Sequence, residues 1–152
     1  MECRKVLIAV DGSDYAEKAF EFYVENIRKE KDFLILVHCA TPPKLPLLSF
    51  SEPLALPADE WLNSIVTENK KSQTVMEKFE LLCESIKIPK KTLIANGKPG
   101  QAIIETAKTE GANLIVMGTR GLNTMRRTFV GSVSDYVLHH SSIPVTIVPP
   151  KV

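Results

Sequence analysis

The chain has 152 residues, a formal net charge of +1, 44% hydrophobic and 24% charged residues, the makeup of one ordinary globular domain able to bury a core without disulfides or metals. Near-neutral charge argues against a broad electrostatic footprint for nucleic acid or an anionic membrane. Three widely spaced cysteines, Cys3, Cys39 and Cys83, with no C-x-x-C pair, suit a reducing compartment; no stretch reads as a signal peptide or membrane span, so the expected location is the cytoplasm, with nuclear access left open.

Lys5–Val10 is a nearly continuous apolar run, the pattern of a strand buried on both faces of a parallel sheet. Asp11-Gly12-Ser13-Asp14 breaks it. Ser13 or Asp14 is placed to cap the next helix, and Asp14 and Glu17 have capping-box spacing. Ala16, Ala19, Phe20, Tyr23, Val24 and Ile27 then recur at three and four residues, which predicts one amphipathic helix. Phe33–Val37 is a second buried strand, ending at His38-Cys39.

Residues 41–58 hold Pro42, Pro43, Pro46, Pro53 and Pro57, half of the ten prolines. Proline lacks the amide donor and fixes φ, so a long irregular loop is expected. Its Leu45, Leu47, Leu48, Phe50, Leu54 and Leu56 are too apolar for a solvated linker, and the loop is expected to lie partly on the domain or on a protein partner. Asp59 or Glu60 opens a long helix to about Ile86. Trp61, Ile65, Met76, Phe79, Cys83 and Ile86 form its apolar stripe, with Glu68–Ser72 solvated. Thr92–Ala95 is a third strand, Asn96–Gly100 a turn, and Gln101–Glu110 a short helix stopped by Gly111. Leu114–Met117 is the fourth strand, 118–131 a glycine loop, Ser132–His140 the last helix and Val145–Val148 a fifth strand.

Strands alternating with helices predict right-handed crossovers and a parallel sheet covered on both faces. Such sheets bind ligands at the carboxyl ends of strands, where strand order reverses. The stretch after the fourth strand has the build of a phosphate cradle. Gly118 and Gly121 let the backbone turn and approach a ligand, and Gly131-Ser132 leads at once into a helix whose N-terminus offers N–H groups and a positive dipole end.

The spacing G-x2-G-x9-G-S, with Val6–Ser13 at the start and Ile143–Pro149 at the end, resembles the universal stress protein family over nearly the whole chain, as a single domain spanning 1–152. That resemblance implies an α/β three-layer sandwich: a five-stranded parallel sheet of order 3-2-1-4-5, Rossmann-like and of the adenine nucleotide alpha hydrolase type. It implies ATP, or ADP or AMP, between strands 1 and 4, with phosphates on Gly118–Ser134 and Mg2+ as a companion ion. It also implies a homodimer through Val145, Thr146, Ile147 and Val148, an edge strand that needs cover.

Each candidate has an alternative reading. Asp11 ends strand 1 at the switch point, where a carboxylate can accept from ribose hydroxyls or help hold Mg2+; otherwise it is a turn aspartate. The resemblance places its counterpart in the adenosine part of the site. Gly118, Gly121 and Gly131 form the cradle together, though singly each reads as a turn glycine. Ser132, Val133 and Ser134 open the helix beneath the phosphates, and Ser132 also suits N-capping. Arg120 lies between the first two glycines. Arg126 and Arg127 either clamp terminal phosphates or are solvated. Ala9, Val10, Cys39 and Met117 end strands near the expected adenine, with the resemblance implying backbone contacts to the base around Cys39; core packing is the alternative. No second cysteine stands near Cys39 in the sequence to make it redox-active. Asp135 and His139 stand four apart on a helix surface, unlike a converging triad.

No G-x-x-x-x-G-K-[S/T] and no G-x-G-x-x-G after strand 1 occur. Nothing pairs a base with a nucleophile, so nucleotide binding with at most slow hydrolysis is the favoured reading and enzyme status stays open. The alternatives are a nucleotidyl or phosphoryl transferase using ATP, with its specific groups in 41–58, and a ligand-independent protein-interaction module.

Overall fold

The computed structural model describes residues 3–40, 58–119 and 131–150. The expectations for the 41–57 loop, and for Arg120, Gly121, Arg126 and Arg127, lie outside these residues. The elements are β1 (Arg4–Ala9), α1 (Asp14–Phe22), a π-helical turn (Tyr23–Ile27), β2 (Asp32–Cys39), α2 (Ala58–Ser85), β3 (Lys90–Ala95), α3 (Pro99–Glu110), β4 (Leu114–Gly118), α4 (Ser132–His140) and β5 (Val145–Val148). The sheet is parallel throughout, in the order β3-β2-β1-β4-β5.

Side-chain alternation builds two cores from one sheet. Val6 and Ile8 of β1, Leu34 and Leu36 of β2 and Val116 of β4 face one layer with Ala16, Ala19 and Phe20 of α1 and Met76, Phe79 and Cys83 of α2. Leu7, Ile35, Val37, Ile115 and Met117 face the other, against Ile103, Ile104 and Ala107 of α3 and Val137 of α4. Phe20 and Phe79 meet edge to face, 5.7 Å between centroids, a geometry the ring quadrupole favours.

Three details differ from the sequence reading. The first helix is not uniform: after Phe22 it widens, and Arg28 N–H donates to the Tyr23 carbonyl at 2.8 Å. The wider turn coincides with a buried polar anchor that periodicity does not reveal. The stripe of α2 is not wholly buried, because Trp61 is 40% exposed while Ser72, expected in solvent, is buried; the first buried position of the helix is Ser72. Ser13 occupies the N-cap position of α1 but makes no side-chain capping bond; its hydroxyl donates to Asp11 Oδ1 instead.

The polar anchor closes the amino-terminal end of the sheet. Asp32 starts β2 with its carboxylate fully buried. It accepts from Arg4 Nε at 2.8 Å and Nη2 at 2.6 Å, from Tyr23 Oη at 2.7 Å and from Lys29 N–H at 3.0 Å. Arg4 Nη2 also donates to the Ile27 carbonyl at 2.9 Å. Burial pushes the Asp32 pKa up, but the Arg4, Lys29 and Tyr23 hydrogen bonds outweigh it and hold it below the usual carboxylate range. Burial, and then the hydrogen bond to Asp32, push Tyr23 well up.

Removing one member of such a cluster strands the others. Asp32→Ala is expected to cost about 3 kcal/mol in urea unfolding. The folded-state pKa of Asp32 is depressed, so its stabilisation is present above the unfolded value near ~3.9 and is lost as pH falls through the folded value. In Asp32→Asn the acid-side decline in Tm should therefore be shallower than in the wild type; parallel curves would contradict the assignment.

Candidate functional site

β1 is hydrogen-bonded to β2 on one side and β4 on the other. From β1 the chain leaves to α1 on one face, while α4, the next described element after β4, packs on the opposite face. The two strand ends are thus neighbours whose continuations diverge, and a crevice of about 490 Å³ opens there. Ala9, Val10 and Asp11 line it from the end of β1, Cys39 from β2, and Met117 and Gly118 from β4. Gly131, Ser132, Val133 and Ser134 line it from the start of α4. Every residue that the sequence reading placed at the site and that lies within the described residues is therefore in this lining.

Ser13, Tyr15, Ala16, Val37, Pro99 and Ile103 line it too and were not assigned. Pro99 and Ile103 belong to α3, which follows β3. The signal was available, because Pro99 is the N1 residue of a helix after a strand, and helix starts after parallel strands gather at the carboxyl edge of a sheet. Tyr15 could be found only from packing. A Cβ at Gly118 would lie 2.5 Å from the Tyr15 carbonyl oxygen, so the absence of a side chain lets the end of β4 close onto the first turn of α1.

The lining has two characters. Val37, Cys39, Ile103 and Met117 give one apolar wall. Asp11, Ser13, Ser132 and Ser134 give a polar one. Asp11 is partly a turn aspartate, as its alternative reading held: Oδ1 accepts from Ser13 N–H at 2.9 Å and from the Ser13 hydroxyl. Val10 is 3% exposed and belongs to the core as well as to the crevice. Its N–H donates to the Val37 carbonyl at 2.8 Å, and its own carbonyl lies 3.0 Å from His38 Nδ1. Cys39 Sγ lies 3.7 Å from the Pro99 carbonyl, and burial pushes its thiol pKa up to about 11, away from the thiolate a redox role needs.

At the start of α4 the N-cap is Gly131, with Ser132 the first helical residue and no side-chain cap bond. Ser132 is therefore exposed at N1 rather than capping. Asp135 N–H makes the first helical bond, 2.8 Å to the Gly131 carbonyl, and the buried Ser134 hydroxyl donates to the same carbonyl at 2.9 Å. The N–H groups of Ser132, Val133 and Ser134 precede that bond and have no intrahelical acceptor by position. They stand at the crevice wall, at the positive end of a nine-residue helix. Asp135 and His139 pair with each other at 3.4 Å in solvent and are not in the lining. Among the described residues, the lining contains no His, Lys or Arg. No group of three His, Cys, Asp or Glu side chains that could hold a metal ion comes together among them, and no helix is long and apolar enough to cross a membrane.

A family model described as the universal stress protein family matches residues 2–149. Universal stress protein YxiE of Bacillus subtilis is 30% identical over 145 residues, covering 95% of this chain and 97% of its own length. Among solved structures, universal stress protein UspA from Lactobacillus plantarum superposes with a TM-score of 0.74 at 22% identity, covering 97% of this chain and 99% of that one. A universal stress protein family protein from Arabidopsis thaliana with AMP bound gives a TM-score of 0.70 at 20% identity, covering 97% and 92%. With sheet order, glycine spacing and full-length similarity in agreement, the chain belongs to the universal stress protein family.

Proposed function

We propose that this protein is a stress-response regulator that binds an adenine nucleotide, with ATP as its working ligand, in the crevice between β1 and β4. One observation carries the reading. A helix N-terminus and an apolar wall face the same crevice at the point where the sheet order reverses. The N–H groups of Ser132, Val133 and Ser134 would take phosphate oxygens. Val37, Ile103 and Met117 would hold the base, with backbone near Cys39 at its edge. Asp11 would meet the ribose and, if Mg2+ rides with the phosphates, stand nearest to it. Gly118 and Gly131 keep the walls free of side chains; Arg120 and Gly121 complete the expected set. The AMP held by the Arabidopsis relative supports the ligand class.

The described lining offers one carboxylate and no base paired with a nucleophile, which favours binding with a conformational readout over efficient turnover. Asp11 is already tied to Ser13, which suits holding a ligand better than abstracting a proton. Unpaired thiols, with Cys83 buried and raised to about 11 by that burial, fit a reducing cytoplasm.

ATP at about a hundredfold excess over its Kd should stabilise the protein by about 2.7 kcal/mol, a rise in Tm of about 5–10 °C. ADP and AMP, each with and without Mg2+, rank the ligands and show whether the metal contributes. No shift with any of them at ~1 mM would end the proposal. Gly131→Val should retain the wild-type Tm without ligand to within a few °C and lose the ATP-dependent rise, because a β-branched side chain would occupy the phosphate space.

Among the described residues β5 pairs with β4 alone, and its outer edge is proposed to pair with a second copy through Val145, Thr146, Ile147 and Val148, since an edge strand invites a partner. Amide exchange in Val145–Val148 should slow as protein concentration rises; exchange independent of concentration would count against that pairing.

A further inference from the structure

α2 has twenty-eight residues, about 42 Å of helix, whereas β2 and β3 beneath it have eight and six, about 20–26 Å. The excess lies at one end. A Cβ on Gly12, just after β1, would be 3.6 Å from Val75 Cγ2, so the helix reaches the carboxyl edge of the sheet near residue 75. Residues 58–71 overhang that edge by about 20 Å.

The core-facing stripe of α2 continues into the overhang. Ser72, Met76, Phe79 and Cys83 are buried. Trp61 and Ile65 fall on the same face at helical spacing, with Leu62 and Val66 beside them. Yet Trp61 is 40% exposed, Leu62 52% and Val66 51%. An exposed apolar patch of Trp61, Leu62 and Val66, with the half-buried Ile65 among them, thus stands on the part of the helix beyond the sheet edge.

We propose that this overhang recognises a second copy of the same helix, packed antiparallel about a twofold axis near residues 64–65. The charge order argues for self-recognition. Asp59 and Lys70 both flank the Val66 side of the stripe, and both lie equally far from that axis. Neither side chain makes an ion pair with another described residue. In an antiparallel twofold pair the same edge of each helix meets, so Asp59 of one copy faces Lys70 of the second copy, twice over. A parallel twofold pair would bring opposite edges together and leave Asp59 and Lys70 without this pairing. α2 packs on β2 and β3, at the opposite side of the sheet from β5, so its overhang is a second contact, independent of the nucleotide reading.

Trp61 is the only tryptophan and reports on this contact alone. As full-length protein is concentrated, its emission should move to the blue and its quenching by acrylamide should fall. Lys70→Glu and Asp59→Lys should each weaken the concentration dependence about tenfold with helix content retained. An equimolar mixture of the two should restore it, since each variant then meets opposite charge at both ends. Trp61 emission that is shielded at every concentration would mean that the chain covers the patch itself, and would overturn the proposal. So would emission that stays solvent-exposed throughout, or a concentration dependence that the charge changes leave untouched.

Discussion

The position of β1 between β2 and β4 is the constraint from which the other features follow. β1 donates and accepts along both edges, and its side chains enter both cores, Val6 and Ile8 to one and Leu7 to the other. Because the chain leaves β1 toward one face, and α4 returns on the other, adjacent strand ends cannot share one covering helix. The gap at their carboxyl ends is a consequence of connectivity. Its floor is closed by contact: Gly118 lies so near the Tyr15 carbonyl that no Cβ fits. Between its edge strands, a parallel sheet covered on both faces opens to solvent only at its strand ends, which is why the polar lining gathers there.

The two ends of the sheet are built differently. At the amino end, Asp32 draws Arg4, Tyr23 and the Lys29 amide into one buried cluster in which each hydrogen bond has a charged or strongly polar partner. The cluster also joins the first strand to the π-helical turn through the Ile27 carbonyl. At the carboxyl end, the corresponding groups are helix-terminal N–H groups, hydroxyls and a single aspartate around a cavity. One end ties β1, β2 and the π-helical turn together. The other lines a crevice with the first turn of α4. The dipole of α4 acts only within its first turn, so the crevice depends on that helix beginning at Ser132 and on the sheet bringing that turn beside β1.

Elsewhere the chain departs from the economy of a sheet with matching helices. α3 and α4, with twelve and nine residues, suit strands of four to eight residues. α2, with twenty-eight residues, does not, and its first buried position is Ser72. Sequence periodicity is blind to this, because an amphipathic stripe records that a face is apolar but not what lies opposite it. Trp61 and Phe79 occupy the same helical face; one is 40% exposed and the other fully buried.

The sequence by itself determined the alternation of strands and helices, since unbroken runs such as Leu114–Met117 and 3.6-residue periods such as Ala16–Tyr23 are local patterns. It also determined the crevice residues at Asp11, Gly118 and Gly131–Ser134, because turn-forming residues after buried strands end at the carboxyl edge of a parallel sheet whatever its order. The order itself was supplied by family resemblance, since hydrophobic patterning does not say which strand lies beside which. Only the tertiary structure decided the Asp32 cluster, the π-helical turn, the contribution of Tyr15, Pro99 and Ile103 to the crevice, and the division of α2 into buried and overhanging halves. Each of these depends on groups distant in sequence, such as Arg4 and Asp32 or Tyr15 and Gly118, whose meeting is fixed by how the layers pack and leaves no periodic trace along the chain.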